Sequence, residues 1–457
     1  MRYRLLGAVA LGCAIAATWP GSAVRAQSDG CKLTDKMVQD ALASDQPTRD
    51  AGFFSSNCAF HQWSWMLFIW LTQEVGDGEL RFETMPTSND VINGGQVDGQ
   101  QTGVEMLAPR YAKTDDIDHP SPLAAQQRAI DESYAEVEQA GSSGVLIDQN
   151  GRAVYYSQYV NDAFYDWAVT EKALYKPANL RKLEPTTTLP ANTLELKVSW
   201  KIVGDGEDAG KFFTTRAKIP KLAPNPNGPG VVPKPGDTEE VTVALVGFHV
   251  VGVVPDHPEM IWATFEHNDN APNFASKQKP GQPVSDKDFT FYKAGTLAYA
   301  CNENNARHLD LDQSSQKLSP VTQACRQFAF GNEPGASDAG TNKNNIQSLN
   351  ASAWQQIDSH GIPAVWKNYR EIGAVWFKPS AKLTPKDPLD TDAKLTGSLR
   401  LNNTTIETFT QDEASMNNCF KCHNTTMKYS SDPDVAPLEA KNVNISHILV
   451  NAFMQNQ

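Results

Sequence analysis

The most apolar stretch of the chain is Phe60–Leu71, which carries Trp63, Trp65 and Trp70. At that length it predicts a buried helix and is too short to cross a bilayer. Aromatic stripes of this kind are usually core, so these tryptophans are not read as a cofactor box. The preceding residues 27–58 are polar and end at Cys58. Residues 121–140 begin near Ser121-Pro122, continue alanine-rich and charged, and predict a second helix. Two β-rich runs, Gly144–Ile147 and Ala153–Tyr156, flank Asp148-Gln149-Asn150-Gly151, and Asn-Gly between such runs predicts a hairpin turn.

Leu194–Val203 alternates apolar and polar, as a strand does. Val241–Val254 is apolar on both alternating faces, which predicts a strand covered on both sides. Met260–His267 reads as its antiparallel neighbour across a loop at Pro255–Glu259. Residues 219–238 hold six prolines and three glycines and predict an exposed loop. Residues 330–350, rich in Gly, Asn and Ser, predict another. No internal repeat is evident. The pattern predicts an α+β fold: a large β-rich body with helices over residues 27–395, and a short C-terminal segment over 396–457. A soft boundary falls near Leu395, after the Pro- and Asp-rich Leu383–Asp392.

The first 26 residues read as a secretion signal. Arg2 and Arg4 precede the apolar run Leu5–Thr18, and Ala23-Val24-Arg25-Ala26 predicts cleavage before Gln27. A lipoprotein reading through Cys13 is weaker, because Leu11 stands one position too late. Removing the segment takes away three arginines and no acid, leaving 37 basic against 53 acidic side chains, a net charge of −16. That argues against nucleic acid or an anionic membrane surface as partner. It serves solubility, and it would also suit a basic electron-transfer partner. No later segment approaches the length of a membrane span.

Of seven cysteines, Cys13 lies in the signal and Cys419 and Cys422 in one motif, leaving Cys31, Cys58, Cys301 and Cys325. An even remainder in an oxidising compartment predicts two disulfides, and short loop closure favours Cys31–Cys58 and Cys301–Cys325.

Cys419-Phe420-Lys421-Cys422-His423 is C-x-x-C-H, the signature of c-type haem attachment. Two thiols at that spacing add to the vinyl groups on one porphyrin edge, and the adjacent histidine lies on a turn that carries its imidazole to the iron. A dithiol redox pair needs no following histidine, and a zinc site wants a fourth ligand at short spacing, of which none is evident. One such motif implies one covalently attached haem c. Only 34 residues follow His423, too few for the usual ligand loop and closing helix, so the haem must lean on the upstream body.

The sixth iron ligand is open. Met427 lies on the same side as His423, whereas His447 and Met454 in the tail are feasible. His249 and His267 lie on the two apolar strands. With the loop at Pro255–Glu259, Val254 opposes Met260, His249 opposes Phe265, and His267 sits diagonally from His249 at about 7–8 Å. A slip of one residue would put them on opposite faces. A histidine on an apolar strand is more often a hydrogen-bonded core residue than a ligand, although an imidazole in an apolar wall suits either a ligand or a distal acid–base group. His61 is a weaker candidate, and His119, His257, His308 and His360 read as solvated.

Several stretches resemble a family of largely uncharacterised bacterial, periplasmic, monohaem cytochrome c family proteins. They are Phe60–Thr72, Gln139–Gly151, Gly247–Val251, Ile261–Pro272 with its Trp-x-Thr-Phe-Glu-His core, Leu401–Thr408 and the haem motif. The resemblance implies an exported protein with a single haem, brings no established substrate, and suggests that Glu266, His267 and Asn270 form part of a site. The tail departs from the family pattern near His447. Together these readings lead to a periplasmic electron-transfer protein with a redox partner. The runner-up is a haem-dependent oxidoreductase, of peroxidase or oxygenase type, with an open sixth position and His267, Glu266 or His249 as catalytic groups. Size favours this runner-up, since a carrier does not need some 400 residues. The third is a haem-based sensor or binding module.

Overall fold

The computed structural model describes residues 30–95, 105–106, 108–109, 144–425 and 438–456, apart from positions 77, 227, 306, 307, 337, 413, 415 and 416. The expected secretion signal, the helix at 121–140, His119 and Met427 lie outside the described residues.

Phe60–Leu71 forms most of helix α1 (Asn57–Leu71), which Ser56 caps by accepting a hydrogen bond from the Ala59 amide. The helix is apolar nearly all round and accordingly buried. The chain is α+β, as expected. Its main element is a nine-stranded sheet, and α1 packs on one face together with α2 (Ala339–Ser359). The strands are β1 (Glu105–Met106), β2 (Ala108–Pro109), β3 (Val154–Val160), β4 (Leu194–Ile202), β5 (Thr214–Pro224), β6 (Val231–Val254), β7 (His257–His267), β8 (Tyr369–Phe377) and β9 (Leu395–Gly397). Their order is β9-β8-β7-β6-β4-β3-β2, with β5 pairing to the first half of β6 and to β1. The Asn150-Gly151 turn is present: Gly151 has φ +82°, and the Asp148 carboxylate accepts from the amides of Asn150 and Arg152.

Three sequence expectations change. Residues 339–350, expected to lie in a loop, form the first half of α2, whose Ile346 and Leu349 are buried with Asn342 and Asn350. Residues 219–238 are not a loop but much of the β5–β6 hairpin. Pro220 pairs with Thr238 beside a register shift, and among the described residues β5 is paired on its far side only by two-residue β1, so the prolines sit where a missing amide donor is tolerated. The third change is at the β6–β7 connection. Val254 pairs with His257, so the turn is Pro255-Asp256, with Asp256 at φ +65°, rather than a loop to Glu259. His249 therefore opposes Thr264, and Phe248 opposes Phe265. This is the one-residue slip that separates His249 from His267.

The two faces of the sheet now follow. Phe248, Val250, Ile261, Ala263 and Phe265 point toward α1, where Phe68 stacks on Phe265 at 4.3 Å between centroids. Val251, Val253, Trp262 and Phe377 point the other way, into an apolar cluster with Phe420, Val443, Ile445, Ile448 and Met454 of the C-terminal segment. The segment's first residues form edge strand β9, so tail and body share one sheet. Both expected disulfides are present, Cys31–Cys58 and Cys301–Cys325, with Cα separations of 5.5 and 5.6 Å. Among the described residues no helix is long and apolar enough to cross a membrane.

Candidate functional site

Cys419–Cys422 form a single helical turn, α3, lying on the sheet face opposite α1. Asn418 starts it by accepting from the Phe420 amide at 3.0 Å, and the His423 amide closes it on the Cys419 carbonyl at 2.8 Å. Phe420 pins the turn: it is fully buried, with its ring 5.0 Å from Phe377 and 5.9 Å from Trp262. Both cysteines of the motif are thiols outside any disulfide. Burial, reinforced by the negative charge of Glu407, pushes Cys419 well up and Cys422 up to about 12, so both are neutral at physiological pH.

His423 is fixed on three sides. Its Nδ1 lies 2.9 Å from the Ile445 carbonyl and must donate to it. His447 stacks on its ring at 3.8 Å, and Trp262 lies at 4.1 Å. His447 in turn donates from Nε2 to the Cys422 carbonyl at 3.2 Å. Burial pulls both imidazoles down, His423 well below its usual range and His447 to about 4. His423 is thus a neutral tautomer with its lone pair on Nε2, and no described residue hydrogen-bonds that nitrogen. Neutral thiols one turn apart, next to an imidazole oriented through Nδ1, form a donor set that fits covalent haem attachment and axial ligation. His423 and His447 are half-buried, so the site reaches the surface.

The segment Leu401–Thr410 leads into the motif as a strap across the same sheet face. Asn403 donates to Thr264 Oγ1 and the Phe265 carbonyl, Thr405 shares a hydrogen bond with Ser199, and the Thr404 amide donates to Glu266 at 2.8 Å. Gly247 permits this approach. A Cβ there would lie 2.3 Å from Thr405 Oγ1 and 2.5 Å from Ser199 Oγ. At the far end of the strap, Glu407 meets His249 Nε2 at 2.8 Å. Burial raises the Glu407 carboxyl, but His249 and the Asn403 amide outweigh it and hold the group below its ordinary value. Glu195 adds a second acid on this face. It is buried, hydrogen-bonded to Ser446, and pushed up to about 7 by desolvation.

The sequence candidates therefore divide. His249 lies on the face of Cys419–His423, paired with Glu407. His267 lies on the opposite face: it stacks on Phe212 at 3.9 Å, donates from Nε2 to the Lys211 carbonyl, and accepts from the Asp269 amide. It is a core histidine, pulled down to about 4 by burial. Glu266 is on the site's face but committed to Arg326 and Thr404. Asn270 donates to the Val246 carbonyl. His447 sits beside His423 rather than across from it, and Met454 is buried in the apolar cluster of the tail. His61 pairs with buried Glu371 at 2.7 Å, away from the motif. His257, expected to be solvated, is buried against Glu259.

Sequence reasoning missed Glu195, Glu407, Trp262 and Ile445. Glu195 stands on the polar alternate of its strand, with Lys197, Ser199 and Lys201, so nothing in the chain order marks its burial. Nothing local marks the Ile445 carbonyl. Among the described residues no three His, Cys, Asp or Glu side chains converge as a cage for a bare metal ion. Compared with protein-family models, curated proteins and solved structures, the chain matches none.

Proposed function

We propose that the protein is an exported, periplasmic, c-type monohaem protein that transfers electrons. The observation that carries this reading is the state of His423, neutral and locked by Ile445 with Nε2 hydrogen-bonded to no described residue, beside two neutral thiols on one turn. Haem c bound there would supply a one-electron iron centre, with Cys419 and Cys422 as its attachment points and His423 as proximal ligand. Trp262 and Phe420 would keep water from the proximal side, which favours reduction of a positively charged centre. Two disulfides and the leader-like N-terminus support an oxidising compartment, and the net charge of −16 after the leader suits a basic redox partner.

A second reading has an observation of its own. His447 stands on the His423 side, and His249 with Glu407 forms an acid–base pair on the sheet face of the motif. An acid–base pair on the motif's own sheet face is what a haem-dependent oxidoreductase with an open sixth position needs. Two measurements test the readings. Intact mass after expression with a c-type maturation system should exceed the polypeptide by one haem, and Cys419→Ala with Cys422→Ala should abolish the adduct; its persistence refutes the proposal. The ferrous spectrum then separates the readings: indifference to carbon monoxide favours transfer, and ready binding favours catalysis.

A further inference from the structure

The sheet face that carries the strap also carries two arginines, Arg326 and Arg370, beside one fully buried acid, Glu266. Arg326 is 2% exposed and makes an ion pair with Glu266, itself fully buried. Its Nη1 donates to Asn273 Oδ1 at 2.6 Å, while its Nε is buried without a partner. The backbone fixes this arginine from both sides, because its amide bonds to the Pro272 carbonyl and its carbonyl accepts from Phe274. The Cys301–Cys325 disulfide anchors the adjoining residue.

Arg370 opposes Glu266 across the β7–β8 ladder, so its side chain leaves the sheet on the same face. Its Nε is buried and unpartnered, and among the described residues no group forms a hydrogen bond or ion pair with its guanidinium. Desolvation, then the charge of Arg326, lowers Arg370 to about 10, so it remains a cation at neutral pH. Glu266 supplies one negative charge for two guanidinium groups. The nearby Asp269 is half-exposed and paired with Lys211 at 3.5 Å.

A guanidinium partly withdrawn from water without a counter-ion is costly, and more so beside a second cation. A planar oxyanion accepting from the fork of Arg370 relieves both costs. Arg370 is only half-buried, so such a group can enter from solvent. We propose that Arg326 and Arg370 form a binding site for a small carboxylate or oxyanion, with Arg370 as the anchoring fork and Arg326, held by Glu266, as the inner positive charge. The carboxylate can come from a free anion or from a porphyrin bound at Cys419 and Cys422.

The test is thermal melting and calorimetric titration of the haem-loaded full chain with succinate and inorganic phosphate at constant ionic strength. Binding that weakens at least tenfold in Arg370→Gln supports the site with a free anion as occupant. No binding to the haem-loaded chain, but binding to the Cys419→Ala/Cys422→Ala chain that Arg370→Gln removes, supports it with the porphyrin carboxylate as occupant. Absence of binding in both chains, or binding undiminished by Arg370→Gln, overturns it. A second readout guards against misfolding. In anion-free buffer the Arg370→Gln form of the Cys419→Ala/Cys422→Ala chain should melt no lower than its parent, because an uncompensated charge has been removed. A lower melting temperature there would show that Arg370 already has a structural partner and would also overturn the site.

Discussion

Burial is the first cause that keeps His423, His447 and His267 neutral, and their hydrogen bonds then choose the tautomers. For His267 the folded value of about 4 lies below the unfolded value near 6.5. The unfolded chain therefore takes up the proton first as pH falls, and stability present above pH 6.5 is lost down to pH 4, by roughly 3 kcal/mol in all. Urea midpoints at pH 7 and pH 4.5 should differ by less in His267→Ala than in the parent; an unaltered difference would refute the assignment. Glu195 has the opposite sign. Its folded value near 7 is raised above the unfolded one, so its contribution is full below pH 4.5 and lost as pH rises through 7. Glu195→Gln should accordingly be the more stable protein at pH 8, by on the order of 1–3 kcal/mol, with little advantage at pH 5. Both effects were invisible in the chain order, because neither Glu195 nor His267 has a sequence neighbour that explains its environment.

Between β6 and the Cys419–His423 turn, the strap Leu401–Thr410 is the element on which the site depends. It is held by side chains from several strands, Ser199, Thr264 and Glu266, and admitted by the bare backbone of Gly247. Gly247→Ala should lift the strap, since the added Cβ falls among hydrogen-bonded oxygens that cannot all retreat. The expected cost is about 1–3 kcal/mol, with a reduced yield of covalent haem. Glu266→Ala should cost more, about 3–5 kcal/mol by chemical denaturation, because it leaves Arg326 buried without its counter-charge. The hydrophobic pattern located α1, β4, the second half of β6 and most of β7. It could not place the turn between β6 and β7, where Pro255-Asp256 and a longer loop fit the same pattern, and that choice alone decides which face His267 takes. The prolines of β5 and β6 misled for a related reason: whether a proline breaks a strand depends on whether its missing amide faces a partner, which pairing decides.

Over the whole molecule, each disulfide ties a loop-rich stretch to the body. Cys31–Cys58 fastens the N-terminal polar stretch to α1, and Cys301–Cys325 fastens the arm that ends in Arg326. Replacing either pair by alanine should lower stability by roughly 2–4 kcal/mol in denaturant titrations while leaving haem attachment intact. Loss of the haem adduct on removing Cys31–Cys58 would contradict a purely stapling role.

The amino-acid sequence by itself determined the local, covalent features: the C-x-x-C-H spacing, the cysteine pairing, the apolar helix, the Asn-Gly turn and the α+β composition. Each of these is settled within a few turns of chain or by loop length. The tertiary structure alone decided the rest. It laid the tail on the sheet face opposite α1, gave the Ile445 carbonyl to His423 across 22 residues, and joined His249 to Glu407 across 158. It also brought Arg326 and Arg370 to one buried acid. The physical reason is that burial, like-charge proximity and hydrogen-bond partnership depend on distance in space, and here the partners come from strands and loops far apart in the chain.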